Sequence, residues 1–479
     1  MPLNVNYVYF ILLTSISSIS QSQQISEQQL RIILAKNNIT YTTHPGPDTT
    51  SPLFTLGKAL FFTKALSLEN DVACASCHHP LLAGGDQLAL PIGVMPKNPD
   101  TLGPERKIRP DLPDDNGYLD INDHHNVPRN SPTTFNIGLY TTRMFWDGRV
   151  EKLNDNSVST PESGYGFTDP NTGSDIVAAQ ALFPVGAKDE MRNYINQPHD
   201  EQYKIHQTLV TRLFRKDVRF TRSPDKFWRD LFEKAFDKSW QDITYTDISN
   251  ALSHYQRSQI FIKSPWSDYL AGNNDSLTEK QKQGAVLFFT SIENNGAGCY
   301  RCHSGEHLSD EQFHVLAIPQ IGKGKNVGRY GDDDFGRYLV TGKQQDMYAF
   351  RTPALLNVEL TQPYGHDGAY EKLTDIIKHH NSPETILNES LIKKLPANIS
   401  SKNVMTNTAY ALQQLKQKPQ TLMKLKVKLD DKQIDALVAF LKSLTDPCIK
   451  SASCLQAWLP DEQWIKRKEL RMLGPVNTN

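Results

Sequence analysis

The sequence predicts a mainly α-helical fold in which two related units are joined by long loops. Three observations predict it: four landmarks occur twice in the same order, helix-capping patterns precede apolar helical faces, and strand-like alternation is sparse. Each copy has a helix, a cysteine motif, a long loop and a further helix. The matched landmarks indicate an internal duplication, and they are GKALFFT 57–63 with GAVLFFT 284–290, CASCH 74–78 with CYRCH 299–303, RNSP 129–132 with RTP 351–353, and DGRVEKL 147–153 with DGAYEKL 367–373.

Capping residues and apolar periodicity predict several helices along the chain. A weak N-terminal helix is expected over roughly residues 27–35. A capping box of Thr278 and Gln281 opens the first helix of the second unit. Asp430 is expected to cap a later helix, whose apolar face is formed by Ile434, Leu437, Val438 and Leu441. The predicted loops, which are rich in Pro and polar residues, cover 91–130, 154–175 and 322–346.

The domain limits follow from a linker-like Asn-Asn-Asp stretch that ends at residue 275. We expect a leader at 1–20, a first unit at 21–275 and a second at 276–479. Residues 7–19 are apolar and then Ser-rich, which is typical of the h-region of a secretory signal peptide. Ser18-Ile19-Ser20 suits cleavage before Gln21, although the first basic side chain is Arg31; the alternative is a mobile apolar tail.

Composition excludes some functions. The 479 residues include 52 Lys and Arg against 53 Asp and Glu, so charge gives no reason to expect a nucleic-acid partner. No apolar run approaches the ~20 residues that span a bilayer, which argues against a membrane-embedded protein. Because of the signal-peptide-like segment at 7–19, we expect an exported protein of the periplasm.

Four of the six cysteines form two CxxCH motifs, Cys74-Ala-Ser-Cys77-His78 and Cys299-Tyr-Arg-Cys302-His303. This is the attachment signature of c-type haem, in which two thioethers tether the macrocycle and the adjacent His binds the iron. Disulfide or zinc use of these cysteines is the alternative. The motifs predict two covalently bound haem c groups in two cytochrome c-like domains.

The remaining cysteines, Cys448 and Cys454, have a spacing suited to a small closed loop. In an exported protein this spacing predicts a structural disulfide.

From about Leu56 to the C-terminal helix, the sequence resembles the bacterial di-haem cytochrome c peroxidase/MauG family. The resemblance is carried by the haem motifs and by the segments RNSPTTFN, MFWDGR, ALFPVGAKDEM and FRTPALLNVELTQPYGHDG. The resemblance implies that the N-terminal haem is the peroxide site and that the C-terminal haem takes electrons from a donor. It also implies a tryptophan between the haems and one calcium ion near their interface. Homodimers are common in the family, so a homodimer is one expectation by analogy.

The resemblance assigns roles to particular residues. His78 and His303 match the proximal ligands, and Trp146 matches the bridging tryptophan. Gln180 and Glu190 match the distal Gln and the catalytic Glu. A carboxylate held over a haem suits the proton transfer that peroxide cleavage needs, once its site tunes its pKa.

Further matches concern calcium and the remaining histidines. Asn130, Thr361 and Pro363 match the calcium-associated positions, and His366 matches the His of the family's PYxH segment. The family's distal His has no counterpart at the expected place. The candidates two to three residues further along, which are equally well explained as solvated loop histidines, are His124 and His125.

The second haem departs from the family's pattern. Fourteen residues after His366, where the peroxidases carry Met and MauG carries Tyr, this chain has His380. A helix starting near Glu371 would place His380 on the face of Leu373, Ile376 and Ile377, with His379 rotated about 100° away and more solvated. We therefore predict a His303/His380 second haem; the alternative is a core histidine bonded to a carbonyl. Arg149 and Arg351 are expected to pair with haem propionates.

The sequence is compatible with three functions. The first is a peroxidase that reduces hydrogen peroxide to water with electrons from a small cytochrome c or copper protein (cupredoxin). The second is a MauG-like enzyme that oxidises a protein side chain. The third is a di-haem electron carrier without catalysis, against which the Gln180/Glu190 pair argues, because a carrier needs no acid–base group.

Overall fold

The computed structural model describes residues 27–109, 126–192, 202–214, 225–386, 395, 399–417 and 428–472. These residues are mainly helical, as predicted. In chain order the helices are α1 27–36, α2 Pro52–Phe62, α3 Cys74–Cys77, α4 Ile176–Ala181, α5 Gln202–Phe214, α6 Lys226–Phe236, α7 Tyr245–Arg257, α8 Pro265–Leu270, α9 Glu279–Phe289, α10 Tyr338–Thr341, α11 Leu373–Asn381, α12 Pro383–Ile386, α13 Val404–Gln417 and α14 Asp431–Lys442.

The described strands are short and form two small antiparallel sheets. The first has the order β1-β2-β3, with Arg143 opposite Glu151, and the second pairs β4 with β5, with His314 opposite Phe350. The bounds are β1 Arg143–Met144, β2 Val150–Lys152, β3 Val158–Ser159, β4 Phe313–Val315 and β5 Ala349–Arg351. The turn between β1 and β2 carries Trp146, so this hairpin sets the position of a predicted site residue.

Several local predictions are confirmed. Thr278 and Asp430 are the N-caps of α9 and α14, each in a capping box, and α1 begins and ends close to the expected limits. Cys448 and Cys454 form a disulfide. Two elements lie in predicted loops, β3 because it pairs with β2, and the single helical turn α10.

Two helix pairs, α2 with α7 and α9 with α14, are packed so closely that a glycine of one helix lies against a backbone carbonyl of the other. A Cβ atom on Gly57 of α2 would lie 2.0 Å from the carbonyl oxygen of Ala251, and one on Gly284 of α9 would lie 2.0 Å from that of Ala436. Both positions therefore require glycine, because only a residue without a side chain lets the backbones approach this closely. The glycine-bearing helices, α2 and α9, each precede a CxxCH motif along the chain.

Two asparagines tie the halves to one backbone position. Asn136 and Asn357 both have a positive φ, of 61° and 65°. Their side-chain amides donate to the same carbonyl oxygen, that of Phe261, at 3.0 and 2.9 Å. Asn tolerates this left-handed conformation better than most residues, which explains its presence at both positions.

The apolar cores cross the expected boundary near residue 275 at both ends of the described chain. Trp458 and Trp464 pack into the core formed by α2, α5, α6 and α7. Leu30 and Leu34 of α1 pack instead into the core formed by α8, α9 and α14. The predicted domain limits stay a prediction. Among the described residues no helix combines the length and apolar character needed to cross a membrane.

Candidate functional site

One cavity brings both CxxCH motifs together. Its wall includes the cysteines and histidine of each motif, and all four cysteines are free of disulfides. The rest of the wall is largely apolar, and near the motifs it includes Phe61, Met144, Leu252, Phe288, Leu373 and Leu441. This combination of paired cysteines, an adjacent His and apolar walls is the donor set and surface that haem c requires.

The histidines of the two CxxCH motifs are held in the same way. Nδ1 of His78 lies 3.3 Å from the carbonyl oxygen of Gly84, and Nδ1 of His303 lies 3.1 Å from that of Leu308. A carbonyl bonded to Nδ1 fixes the tautomer and leaves Nε2 as the iron-binding atom. Burial lowers the pKa of both rings, that of His303 to about 4, to which His380 contributes.

Trp146 contacts both halves of the chain. Its indole N–H donates to the carbonyl oxygen of Asn130 at 2.9 Å. Its own carbonyl accepts from the amide of Arg351 at 2.8 Å. Trp146 also lines the cavity whose wall holds both motifs.

Gln180 and Glu190 reach the same cavity from neighbouring elements. Gln180 lies on α4, whose first turn is capped by the Asp175 carboxylate. Glu190 lies on a π-helical turn, Lys188–Arg192, in which the amides of 190, 191 and 192 all point to the carbonyl of Ala187. Such turns are rare and often occur at functional sites.

The backbone at Glu190 is fixed by a close contact with Gly93. A Cβ atom on Gly93 would lie 2.1 Å from the carbonyl oxygen of Asp189 and 2.7 Å from that of Glu190. The amide of Val94 also donates to the carbonyl of Asp189 at 3.3 Å. Only glycine allows this approach, so the loop at 93–94 positions the candidate catalytic carboxylate.

Burial raises the pKa of Glu190, while the positive charges of Arg149 and Lys325 act in the opposite direction. A carboxyl group with a raised pKa can hold and release a proton nearer neutral pH than a solvated glutamate. This is the electrostatic property that an acid–base catalyst at a peroxide site needs.

A buried charge cluster borders the cavity beside Glu190. Arg129 pairs with Asp334 through two hydrogen bonds, of 2.6 and 2.8 Å, and with Asp147 at 2.6 Å. Arg149 bonds to the same Asp147 carboxylate at 3.2 Å. Arg149 and Lys325 line the cavity, so both are placed to meet an anionic group bound there, such as a haem propionate.

Arg351, the other expected propionate partner, also lines the cavity. Its Nε donates to the carbonyl oxygen of Phe145 at 2.9 Å, and its guanidinium lies 4.2 Å from the ring centre of Tyr140.

Helix α11 presents His380 to the cavity on the same face as Leu373, Ile376 and Ile377, as predicted. Nδ1 of His380 lies 2.7 Å from the carbonyl oxygen of Ile376, which leaves Nε2 as the atom that can bind iron.

The expectation for His379 is wrong. Its side chain is only 2% exposed, because the opposite side of α11 also packs against protein. Its two ring nitrogens lie 2.7 Å from the Tyr370 hydroxyl and 2.8 Å from the carbonyl oxygen of Leu316. Burial lowers the pKa of His379 to about 3, so the ring is neutral.

The chain is similar to known di-haem proteins. A family model described as "Di-haem cytochrome c peroxidase" matches residues 51–275. Cytochrome c551 peroxidase of Pseudomonas aeruginosa is 27% identical over 322 residues, which cover 67% of this chain and 69% of that protein. Methylamine utilization protein MauG of Methylophilus methylotrophus is 26% identical over 341 residues, covering 71% and 75%. Residues 51–275 thus match a di-haem cytochrome c peroxidase family model, and most of the chain is similar to cytochrome c peroxidases and MauG proteins.

The fold of the family is also seen in a solved structure. A MauG-like protein associated with microbial copper homeostasis superposes with a TM-score of 0.54 at 23% identity, covering 86% of this chain and 96% of that one. The similarity to di-haem peroxidases supports two c-type haems and an oxidoreductase, in agreement with the two CxxCH motifs on one cavity.

The calcium positions line the same cavity, and the calcium site stays a prediction. Asn130, Thr361 and Pro363 all line the cavity. The Asn130 amide donates to the carbonyl oxygens of Leu88 and Ala89, at 2.8 and 3.2 Å, which leaves its Oδ1 for a cation. Neutral oxygens of this kind suit calcium.

Of the other histidines singled out from the sequence, the structure describes His366 but not His124 or His125. His366 is 4% exposed, lines the cavity and stacks on Phe350 with the ring centres 3.7 Å apart. His124 and His125, the distal candidates, lie outside the described residues.

Three polar residues of the site were not predicted. Arg129 adjoins a recognised motif but carries no pattern of its own, and Lys325 belongs to a loop without regular spacing. His314 lies on β4, lines the cavity and pairs with Asp310 at 2.8 Å. Only the loop length, which often accompanies function, pointed towards the region of Lys325.

Proposed function

We propose that the chain is an exported di-haem peroxidase that reduces hydrogen peroxide to water. Electrons from a small cytochrome c or cupredoxin enter at the C-terminal haem, held by His303 and His380, and pass to the N-terminal haem, held by His78. The relative named cytochrome c551 peroxidase supports a c-type cytochrome as donor. Calcium near Asn130 and a homodimer are part of the same proposal.

The observation that carries the proposal is the placement of Glu190. It shares one cavity with His78 and Gln180, and burial raises the pKa of its carboxyl group. Haem iron, when bound, supplies the position at which the peroxide bond is broken. Glu190 then takes the proton from one peroxide oxygen and delivers it to the other, so that water can leave. Gln180 can orient the peroxide by hydrogen bonding.

The second part of the proposal is a duplicated architecture with Trp146 between the halves. The matched glycine crossings at Gly57 and Gly284 support two cytochrome c-like units that arose by duplication. Trp146 bonds to Asn130 in one half and to Arg351 in the other, which suits an electron path between the two haems.

A MauG-like oxidation of a protein side chain is the second candidate, and His380 favours it. Bis-histidine ligation lacks the thioether that raises the potential of Met/His haems. The second haem is therefore a weaker electron acceptor than a Met-ligated one, which makes priming by a donor harder. Oxidation of a reduced cytochrome by peroxide distinguishes the peroxidase from this candidate.

Replacement of Glu190 tests the proposed function. Glu190→Gln nearly preserves the shape but cannot transfer a proton, so we expect peroxide turnover to fall by ~10² to 10⁴. Asp189→Asn is the matched control: this neighbouring carboxylate pairs with Lys323 at 2.5 Å rather than lining the cavity. It should keep turnover within about tenfold. Equal haem content in both variants, measured by absorption, shows that folding is retained. Unchanged turnover in Glu190→Gln would refute the assigned role.

A further inference from the structure

Arg106 is a buried arginine whose guanidinium group bonds entirely to the main chain. The residue is 1% exposed, and each of its five N–H groups donates to a backbone carbonyl oxygen, at 2.7 to 3.2 Å. The acceptors are Ile92, Gly93, Pro99, Thr101 and Asp71. A guanidinium offers five donors in a rigid planar fork, so every donor of Arg106 supports backbone. Nothing in the proposed peroxide chemistry uses this residue.

One of these carbonyl groups belongs to a glycine that packs against the Glu190 turn (Lys188–Arg192). A Cβ atom on Gly93 would lie 2.1 Å from the carbonyl oxygen of Asp189, so no side chain fits between Gly93 and the turn. The amide of Val94 donates to the same carbonyl at 3.3 Å. The hydrogen bond from Arg106 to Gly93, of 2.9 Å, therefore fixes the backbone against which the turn packs.

A second carbonyl group held by Arg106 links another segment to the same turn. That segment is residues 67–71, in which the amide of Leu68 donates to the carbonyl of Met191 at 3.1 Å. At its end, the carbonyl of Asp71 accepts from Arg106 at 3.2 Å, and the Asp71 carboxylate accepts from the amide of Met95 at 2.7 Å. Arg106 thus joins the two segments whose amides bond to the Glu190 turn, 67–71 and 92–95.

The Glu190 turn depends on these outside contacts because its own hydrogen bonds are shared. The amides of residues 190, 191 and 192 all point to the carbonyl of Ala187, at 3.0 to 3.2 Å. A carbonyl oxygen has two lone pairs, so it cannot bond well to three donors at once. The hydrogen bonds from Leu68 and Val94 therefore contribute to the position of the Glu190 backbone relative to the cavity.

We propose that Arg106 is a positioning residue for the peroxide reaction. Through the segments 67–71 and 92–95 it holds the Glu190 turn so that the Glu190 carboxyl group stays on the cavity wall. This inference rests on the proposed function, because Arg106 acts on the reaction only through proton transfer by Glu190. Misplacement of a reacting group by ~1 Å can cost ~100-fold in rate, so a residue that never touches peroxide can still control turnover.

Arg106→Lys in the di-haem protein tests the inference. Lysine keeps the positive charge but has three donors on a flexible stem, so it cannot hold five carbonyl groups. We expect peroxide turnover to fall by ~10- to 100-fold, while the content of both haems, measured by absorption, stays that of the wild type. Amide hydrogen exchange, measured by mass spectrometry, should become faster in the peptide that contains residues 188–192. Unchanged turnover or unchanged exchange in this peptide would overturn the inference.

Asp100→Asn is the matched control. Asp100 lies on the loop that Arg106 holds and is 7% exposed, but its carboxylate pairs with Lys64 and Arg471 rather than with the Glu190 turn. This variant removes a buried charge from the same loop, so it should leave both turnover and exchange in 188–192 unchanged. An equal loss of turnover in Asp100→Asn would assign the effect to the stability of the loop and overturn the inference.

A second variant covers the case in which Arg106→Lys fails to take up both haems. Gly93→Ala leaves Arg106 intact but places a methyl group against the carbonyl oxygen of Asp189, so it displaces the same turn. It should show the same loss of turnover and the same faster exchange in 188–192. Normal turnover in Gly93→Ala would overturn the inference.

Combination with Glu190→Gln distinguishes positioning from a general structural role. If Arg106 acts through Glu190, the double variant should turn over peroxide no more slowly than Glu190→Gln alone, because the group to be positioned has already lost its function. Losses that multiply would show that Arg106 acts elsewhere. Unchanged turnover in Glu190→Gln alone is a separate failure: it refutes the role assigned to Glu190 in the proposed function, and the inference falls with it.

Discussion

Two Asp-Gly turns, Asp147-Gly148 and Asp367-Gly368, are each preceded by a residue whose backbone carbonyl accepts a hydrogen bond from the other half of the chain. The amide of Arg351 donates to the carbonyl of Trp146, and the amide of Asn130 donates to the carbonyl of His366, both at 2.8 Å. The first half of the chain therefore fixes the backbone at His366, and the second half fixes the backbone at Trp146. Trp146 and His366 occupy corresponding places and both face the cavity.

The side chains around this shared backbone differ in charge. Although burial raises the pKa of Asp147, Arg129 and Arg149 lower it well below its usual range. Asp367 accepts from the backbone amides of Ile321 and Ala369, at 3.0 and 3.3 Å, and burial raises its pKa to about 8. The same backbone contact thus lies beside an ion-pair cluster at Asp147 and beside a carboxyl group with a raised pKa at Asp367.

The largest expected effect is on the free energy of unfolding after the same substitution in each turn. Asp147→Asn leaves Arg149 and one side of Arg129 without their buried anion and should cost about 3–5 kcal/mol. Asp367→Asn gives up one backbone hydrogen bond and should cost about 1 kcal/mol or less. Urea unfolding of both holoproteins measures the difference. Equal losses would show that the charges around the two turns do not distinguish them.

The pH dependence of stability should have opposite signs at the two aspartates. Asp147, with a lowered pKa, adds stability that is present above the unfolded pKa of about 3.9 and is lost as the pH falls further. Asp367, with a raised pKa, keeps its proton in the folded state while the unfolded chain releases it. The wild type should therefore lose stability relative to Asp367→Asn as the pH rises from about 4 to about 8, and not above. Unfolding across this range measures the trend, and a constant difference would contradict it.

The two glycine crossings should respond alike. Gly57→Ala and Gly284→Ala each force a methyl group to within 2.0 Å of a backbone oxygen, so the helices must separate, at a cost of about 1–3 kcal/mol. The better helix propensity of alanine offsets about 1 kcal/mol at most. Thermal unfolding followed by haem absorption compares them. A large loss in one half only would argue against equivalent crossings.

The sequence was sufficient where chemistry depends on short spacing. The CxxCH motifs, the capping boxes at Thr278 and Asp430 and the cavity-facing side of α11 follow from residue type and helical periodicity. Resemblance, rather than spacing, was needed for Glu190, because an isolated glutamate carries no local signal.

The features that could not be predicted from the sequence depend on contacts between distant segments. His379 was expected to be solvated because helical periodicity describes one face only, and Leu316 and Tyr370 cover the other. The pairing of Arg129 with Asp334 joins residues 205 positions apart. The packing of Trp458 on the first core likewise requires the tertiary fold.

The last prediction concerns the haem that His380 is proposed to bind. His380→Met supplies a thioether, which raises the potential of a c-type haem relative to bis-histidine ligation. Because His380 lies on α11 of the second half, the midpoint potential of one haem should rise while that of the other stays nearly unchanged. The effect on stability should be small, since Met adapts to irregular apolar space and the lost contact is the helix-internal one to Ile376. Redox titration followed by absorption measures both haems in one sample. His380→Ala is the companion variant: it should convert the low-spin ferric signal of the second haem to high spin. A low-spin signal that survives in His380→Ala would mean that another residue binds this iron.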